Sequence, residues 1–512
     1  MGQTTILIMI LTILSKIFGF LRESFMAYYI GAGEIKSIYT TAMTIPNMLT
    51  GIVVTGILSA YIPVYNKALN EKGEKRAKDF TSNLINILMI YGAVAVAILI
   101  AFAGPLSKLF APKLSGDSLN TAIHFTRIMS FSILAYLSSS VIRGYLNIKD
   151  NFVDPILVGF ILNIVIIIST ILTGKIGNPY ILIIGTLLAQ ILQFIRFPFV
   201  SKKLGYNHKK IIDFKDPYVE SLMVIMIPII FSSAADQLSI LVDNSMASAF
   251  FGVASVSKIF YAKTMLNFIM GVVTMTVATV SFPEIARLGQ AGEIDGMKKS
   301  VSSAINLTML LVIPATFGMM ALSNPIIKLA FERNAFTSED TLIVSSLMVA
   351  YGPFIIFTSF MKIFGNAFYS VGDSKTPVKI ILIQQATNII LNFILINFFG
   401  LDGLAIATAI STAIGSIIMF FAFKNKFGSM NFKASFESII KITIASLIMS
   451  AVAILVYNYG LRFFGSTLSL IVAVALAGSI YLLSIIALKL DEINEIIVFF
   501  NRNVDTMRRK NG

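Results

Sequence analysis

An all-α, polytopic membrane protein is the fold this sequence predicts, and three observations predict it. Apolar stretches of about 18 residues or more recur from one end of the chain to the other, each long enough to cross roughly 30 Å of hydrocarbon. Charged residues are 13% of the chain and hydrophobic ones 56%, where a soluble domain carries about a quarter charged. The second half also repeats features of the first at an offset of about 220 residues.

The hydropathy pattern places about fourteen spans, at roughly 4–30, 36–65, 82–110, 119–147, 153–174, 179–201, 217–250, 255–286, 298–322, 340–370, 376–398, 402–424, 435–459 and 466–489. Several exceed 25 residues, so tilt or kinking is expected. Pro46, Pro63, Pro228, Pro283, Pro314 and Pro353 sit in or near spans, where neighbouring helices re-satisfy a broken backbone. The first span is expected to be permanent. No basic region precedes ILIMILTIL, and SKIFGFLRE follows it in place of a small-residue cleavage site.

Lys and Arg alternate between connections. They crowd NKALNEKGEKRAKD after span 2 (Lys67, Lys72, Lys75, Arg76, Lys78), SKKLGYNHKKIIDFK after span 6, KNKFGSMNFK after span 12 and the tail RNVDTMRRKNG. GAGE, FFGVAS and FFGLDG, after spans 1, 7 and 11, are poor in both. Even-numbered connections and both termini are therefore expected on the cytoplasmic side. This placement accounts for the +14 net charge without a nucleic-acid partner. Absence of Cys excludes disulfides, thiol catalysis and Cys-ligated metals, and His124 and His208 are too few for a histidine-based metal site. Trp is also absent, so Tyr and Phe must supply any interfacial belt.

In the repeat, RESFMAYYIGAGEIKSIY falls on DNSMASAFFGVASVSKIF, which aligns Arg22 and Glu23 with Asp243 and Asn244. Pro63 falls on Pro283. GPLSKLF matches NPIIKLAF, and RGYLNIKDNFVDP matches NAFYSVGDSKTP, pairing Asp150 with Asp373 and Pro155 with Pro377. Six spans separate the copies, so both enter the membrane in the same direction. The expected organisation is an N-lobe over 1–201, a cytoplasmic linker over 202–216, a C-lobe over 217–424, spans 13 and 14 within 425–490, and a cytoplasmic tail over 491–512. Two six-span lobes around one cleft is the form of an alternating-access transporter.

The run SKIFGFLRES…IGAGEIKS…PNML…G…S…IP resembles the start of MurJ/MviN proteins, the lipid II flippases of the multidrug/oligosaccharidyl-lipid/polysaccharide exporter superfamily. FPEIARL, LAFERNAFT and NAFYSVGDSKTPVKI extend the resemblance over nearly the whole chain. It implies transport of an undecaprenyl-diphosphate-linked saccharide from the cytoplasmic to the outer leaflet of the bacterial cytoplasmic membrane. It also implies a cationic cavity lined by spans 1, 2, 7 and 8, a lipid-tail groove made by spans 13 and 14, and cell-wall synthesis proteins as partners. No cofactor is implied beyond Na+ or H+ coupling. The pattern departs at span 2, where an acidic residue is usual and IKSIYTT stands here. It departs again after PNML, where Thr50 and Gly51 replace an arginine, and in span 8, where Lys263 and Thr264 lie at or beside the usual arginine.

Lys16, Arg22 and Glu23 fall inside span 1, where each charge at the bilayer centre costs about 2.5–3.5 kcal/mol. Lys16 and Glu23 are seven apart and share a helical face, and Arg22 is turned about 100° from Glu23. Lys16 and Arg22 are thus candidates to hold the diphosphate that the resemblance implies, Arg through its planar fork, with Glu23 as a tuning partner. A structural Lys16–Glu23 pair with Arg22 snorkelling is the alternative. Lys263 is a second candidate cation, with Asn267 one turn on and Asp243 as a further cavity residue. Arg127, Arg143 and Lys362 lie nearer span ends and read as interface anchors. Asp236, Asn388, Asn392 and Thr408 match a sodium site that the resemblance implies, and oxygen ligands suit such a hard cation. Ordinary interhelical hydrogen bonding is the competing reading of those polar residues.

Translocation of another polyprenyl-linked saccharide remains open. A drug/ion antiporter of the same superfamily would leave spans 13 and 14 unexplained. A membrane enzyme needs a catalytic cluster at a membrane face, and the cytoplasmic connections are short and Lys-rich. A wall-synthesis scaffold would not require buried charge.

Overall fold

The structure is a computed structural model that describes residues 2–276, 282–430 and 432–488. Among these, the regular elements are seventeen helices. They are α1 (Gly2–Ile30), α2 (Glu34–Phe110), α3 (Gly116–Ser130), α4 (Ser132–Ile148), α5 (Val153–Ile176), α6 (Pro179–Leu192), α7 (Arg196–Lys203), α8 (Pro217–Phe251) and α9 (Ala254–Thr276). There follow α10 (Phe282–Gln290), α11 (Ile294–Ala321), α12 (Ser323–Phe331), α13 (Ser338–Ser370), α14 (Lys375–Phe399), α15 (Asp402–Phe427), α16 (Phe432–Gly460) and α17 (Ser466–Ala487).

Among the described residues, eleven stretches are long and apolar enough to cross a membrane, with α3 joined to α4 and α6 to α7. The sequence-based count of about fourteen is larger for two reasons. The 77-residue α2 covers spans 2 and 3 in one element, and α1 and α9 stand outside the eleven. At about 1.5 Å per residue, 77 residues run several times the hydrocarbon thickness. Gly73, at φ 78° and ψ 174°, interrupts that helix, and only a residue without Cβ takes this conformation at no steric cost. Part of span 8 (277–281), the end of span 14 and the proposed tail lie outside the described residues.

The chain packs as two compact units, Met1–Tyr261 with Phe331–Asp340, and Ala262–Ala330 with Thr341–Gly512. This division by packing differs from the division by repeat, which puts α8 in the second lobe. Side-chain contacts account for the difference. Arg76 Nη2 lies 2.6 Å from Asp216 Oδ1 just before α8. Farther along, a Cβ on Gly56 of α2 would stand 3.1 Å from Met226 Cε. Residues 331–340 join the same unit through Phe331 and Phe336, whose rings lie 4.9 and 5.2 Å from that of Tyr261. A Lys258–Asp340 ion pair at 3.2 Å adds to this contact.

Two apolar centres are formed by described residues of the first unit. One gathers Ile57, Tyr61, Phe80 and Tyr145, the other Met26, Ile38, Phe125 and Leu182. The linker 202–216 is stitched to α2: Asn83 donates to the Asp213 carbonyl and accepts from its N–H, and Asn86 donates to the carbonyls of Lys209 and Ile211. In the second unit, Ile305, Phe364, Phe423 and Tyr481 share one core, and Tyr481 Oη donates to the Leu310 carbonyl at 2.6 Å. The last two spans thus pack on α11 rather than standing apart. Outward side chains such as Phe398, 75% exposed, and Leu455, 69% exposed, suit hydrocarbon rather than water.

The two copies of the turn between spans 4 and 5, and between spans 10 and 11, share a backbone design that shifts the sequence alignment by one residue. Asp150 and Gly372 take the positive φ, 56° and 77°. One residue later, the Asn151 N–H donates to the Leu146 carbonyl and the Asp373 N–H to the Phe368 carbonyl, closing helices of the same C-terminal type. Asn151 then accepts from the Asp154 N–H and Asp373 from the Thr376 N–H. The structural partner of Asp373 is therefore Asn151, not Asp150, and Pro155 still falls on Pro377.

Candidate functional site

The charges of span 1 do not pair as the heptad spacing suggests. Glu23 sits on α1 with its carboxylate 3% exposed and takes two cations. Arg22 Nη2 and Nε lie 2.7 and 2.9 Å from Oε1, and Lys36 Nζ, from the first turn of α2, lies 2.9 Å from Oε2. Each carboxylate oxygen therefore has its own cationic partner. The tight turn at Gly31–Gly33 brings Lys36 back to Glu23, thirteen residues earlier. Gly31 has φ 77°, and a Cβ there would stand 2.3 Å from the carbonyl oxygen of Ala335.

Lys36 has no exposed surface. Its ammonium lies 4.5 Å from the Phe260 ring centroid, 5.1 Å from that of Tyr261 and 5.3 Å from that of Tyr39. A desolvated ammonium between aromatic faces gains about 2 kcal/mol from a good cation–π contact, which offsets part of its burial cost beside the ion pair. The cage is fixed in turn by hydrogen bonds from Tyr261 Oη to the Gly31 carbonyl at 3.1 Å and from the Ser257 N–H to Ser37 Oγ at 3.0 Å. Tyr39 Oη and Thr186 Oγ1 are 3.1 Å apart. Arg22, Glu23 and Lys36 together carry one net positive charge, and only Arg22, at 23%, keeps appreciable exposure.

Lys16 is not paired with Glu23. It lines a cavity of about 530 Å³ inside the first unit with Tyr136, Ser139 and Arg143 of α4 and Gln193 after α6. Arg143, expected to anchor at an interface, is thus brought to the same space as Lys16. Neither makes an ion pair or hydrogen bond among the described residues. Asp243 is 2% exposed on α8, and Asp236 of the same helix is exposed.

In the second unit, Lys263 Nζ lies 5.4 Å from the Tyr351 ring centroid, and Asn267 is exposed one turn further on. Asn388, Asn392 and Thr408 do come together. Asn392 Nδ2 donates to Asn388 Oδ1 at 3.5 Å, Asn388 Nδ2 to Thr408 Oγ1 at 3.2 Å, and Thr408 Oγ1 to the Leu404 carbonyl at 3.0 Å. This chain of amides and a hydroxyl joins α14 to α15 and contains no carboxylate. Asp236 is part of the other compact unit. Among the described residues, no three His, Cys, Asp or Glu side chains are grouped to hold a metal.

Sequence reasoning missed Lys36 as the partner of Glu23. The signal was present, since a lone Lys in IKSIYTT opens an apolar span directly after a glycine turn. Nothing in the sequence tied Arg143 to Lys16, because the two lie on helices far apart in the chain.

Comparison with known proteins adds the following. The sequence pattern of the family described as Lipid II flippase MurJ matches residues 26–491. A protein of Rickettsia prowazekii (strain Madrid E), named probable lipid II flippase MurJ, is 27% identical over 489 residues, 94% of this chain and 95% of that protein. One of Borreliella burgdorferi with the same name is 28% identical over 421 residues, 82% of each chain. A solved structure of lipid II flippase MurJ in an inward closed conformation superposes with a TM-score of 0.79 at 26% identity, covering 94% of this chain and 98% of that one. An inward-facing multidrug resistance MATE transporter of the MOP superfamily superposes at 0.67 with 13% identity, over 81% and 94%, and shares the fold alone.

Proposed function

We propose that this chain, which belongs to the lipid II flippase MurJ family, is a membrane transporter that moves lipid II between leaflets and performs no covalent chemistry on it. The observation that carries this reading is the match of the family pattern over residues 26–491. The movement runs from the cytoplasmic to the outer leaflet of the bacterial cytoplasmic membrane, by alternating access of two six-span lobes, with both termini cytoplasmic. The work to be done is electrostatic: a diphosphate must cross a region where unpaired charge costs several kcal/mol.

Supporting this mechanism, Glu23 holds Arg22 at its guanidinium edge while Lys36 occupies the other carboxylate oxygen. The cluster's surplus positive charge is therefore carried at Arg22, the member that keeps access. A cation whose counter-ion is already shared by a second cation retains attraction for an incoming anion. In this reading Lys16, Arg22, Glu23, Asp243, Lys263 and Asn267 meet the headgroup during the cycle. Asn388, Asn392, Thr408 and Asp236 are the candidates for ion coupling, and cell-wall synthesis proteins are the expected partners.

The test is rescue of a bacterium depleted of its own lipid II flippase, followed by measurement of lipid II in the outer leaflet. The chain restores growth and outer-leaflet lipid II, and Arg22→Ala at normal abundance restores neither. Good expression with no rescue would favour another polyprenyl-linked saccharide as cargo.

A further inference from the structure

The strap 331–340 joins α12 to α13 in an odd-numbered connection, expected on the outer face. It packs with the first unit, while the chain on either side, to Ala330 and from Thr341, belongs to the second. Specific contacts fix it there. Two donors converge on one carbonyl near the end of α1: the Ala335 N–H and Asn334 Nδ2 lie 3.3 and 3.1 Å from the Tyr28 oxygen. Asn334 reaches it from φ 50°, a conformation that Asn takes more readily than most residues other than glycine. Asp340 divides its carboxylate. Oδ1 takes Lys258 of α9 at 3.2 Å, and Oδ2 accepts from the N–H and hydroxyl of Thr337 at 3.1 and 2.9 Å.

The buried side chains of the strap are Phe331 and Phe336, each 1% exposed, and both rings lie on Tyr261. Tyr261 is also a wall of the cage around Lys36, and its hydroxyl donates to the Gly31 carbonyl in the turn that returns Lys36 to Glu23. One ring thus connects the strap with the ammonium that shares Glu23 with Arg22. Exclusion of water is what makes that sharing strong, because ion-pair attraction falls steeply as the local dielectric rises. An ammonium that water reaches draws less on Glu23, and the carboxylate then neutralises Arg22 more completely.

We propose that 331–340 is a latch that sets the strength of the Arg22 site, with Phe336 and Tyr261 as positioning residues. Latched, Tyr261 completes the cage, Lys36 shares Glu23, and Arg22 retains its attraction for an anion. Unlatched, Tyr261 leaves the cage, water reaches Lys36, and Arg22 is paired with Glu23 alone. The anion is therefore released when the latch opens, on the face where it opens. This rests on the flippase reading for its cargo.

The chain contains no Cys, so introduced thiols report alone. Purified full-length protein is reconstituted in vesicles of zwitterionic lipid with lipid II as the probe. In Tyr28→Cys with Ala335→Cys, a short bis-methanethiosulfonate ties the strap to α1. Lipid II movement stops and returns on reduction with dithiothreitol, while lipid II binding is retained throughout. Phe336→Ala weakens lipid II binding about fivefold or more. It also speeds maleimide labelling of Ser257→Cys, at a position with no exposed surface one helical turn from Tyr261. Phe336→Leu restores both. In a Lys36→Met background, Phe336→Ala weakens binding no further, whereas a purely structural effect would add to the first loss.

Undiminished lipid II movement by the cross-linked protein would overturn the latch, and this arm decides the matter even if Phe336→Ala does not fold. Additive losses in the double variant would overturn the route through Lys36. Faster labelling in Phe336→Ala, with no lipid II moved by the unaltered protein, sinks the choice of cargo alone. Lipid II movement by the unaltered protein, with labelling and binding unchanged in Phe336→Ala, sinks the latch alone.

Discussion

Lys36 Nζ stands 2.9 Å from Glu23 Oε2, and the lysine has no exposed surface at all. An ammonium in that position is held by one carboxylate and three aromatic rings, and it fixes the carboxylate that in turn orients Arg22. Lys36 is therefore a positioning residue for the cation that keeps access. Removing one partner of a buried pair commonly costs about 3–5 kcal/mol. Arg22 remains on Glu23, so Lys36→Met is expected near the lower end, about 3 kcal/mol. The variant also takes the cluster from one net positive charge to neutral. Both effects are read together as a lower melting temperature and a loss of outer-leaflet lipid II. Glu23→Gln added to Lys36→Met recovers stability relative to the sum of the single changes and restores the one net positive charge, but without the carboxylate that orients Arg22 transport is not recovered.

The turn that makes this pairing possible has little room. Gly31 combines φ 77° with a carbonyl 2.3 Å from where a Cβ would sit, and a backbone oxygen cannot rotate away. Gly31→Ala is expected to cost about 2–3 kcal/mol, the left-handed strain and the clash together. It also speeds hydrogen exchange at the Ala335 N–H, which donates to the Tyr28 carbonyl. Gly33→Ala is the control. Gly33 has φ −83° and nothing within 4 Å of the added carbon, so its change in stability stays within about 0.5 kcal/mol.

Helical class and membrane character were legible in the sequence because they depend on long, uniform apolar runs. So was the repeat, down to Gly31 and Gly252, which both take positive φ. Pairing was not legible. Seven-residue spacing put Lys16 on the face of Glu23, yet the carboxylate turned to Lys36 across a glycine turn. Helical periodicity describes one helix and carries nothing about a residue on the next. The same limit hid Arg143, whose position near the end of a span gave no sign that α1 and α4 would frame one cavity. It also placed α8 by its repeat, although its contacts with α2 draw it into the first unit.

Asp373 provides a pH test outside the spans. Burial pushes its carboxyl up, but the Lys426 ammonium and the N–H and hydroxyl of Thr376 outweigh that and hold it at about 2, below the ordinary 3.8. A carboxyl with a depressed folded-state value stabilises fully above its unfolded value and loses that contribution as pH falls toward the folded one. Discounted for its nearness to solvent, the contribution is about 1 kcal/mol. Asp373→Asn therefore lowers the melting temperature at neutral pH, and the gap to the unaltered protein closes as pH falls from about 4 to about 2. A gap that is the same at pH 2 as at pH 7 would mean the carboxylate charge contributes nothing.

The polar ladder between α14 and α15 makes a prediction of the opposite kind, in which removing more costs less. Gln384 Nε2 donates to Thr412 Oγ1 at 3.0 Å, with Gln384 only 9% exposed and Thr412 1%. One helical turn along, Asn388 and Thr408 repeat the contact. Interhelical hydrogen bonds of this kind contribute about 0.6–1.7 kcal/mol in membranes. Thr412→Val keeps the shape but leaves the Gln384 amide without its acceptor, so it costs about 1 kcal/mol or slightly more. Gln384→Leu in the Thr412→Val background removes the stranded donor as well, and apolar packing replaces the bond. The double variant is therefore expected to melt above Thr412→Val alone. If it melts lower, the two helices are held by the glutamine through contacts other than this hydrogen bond.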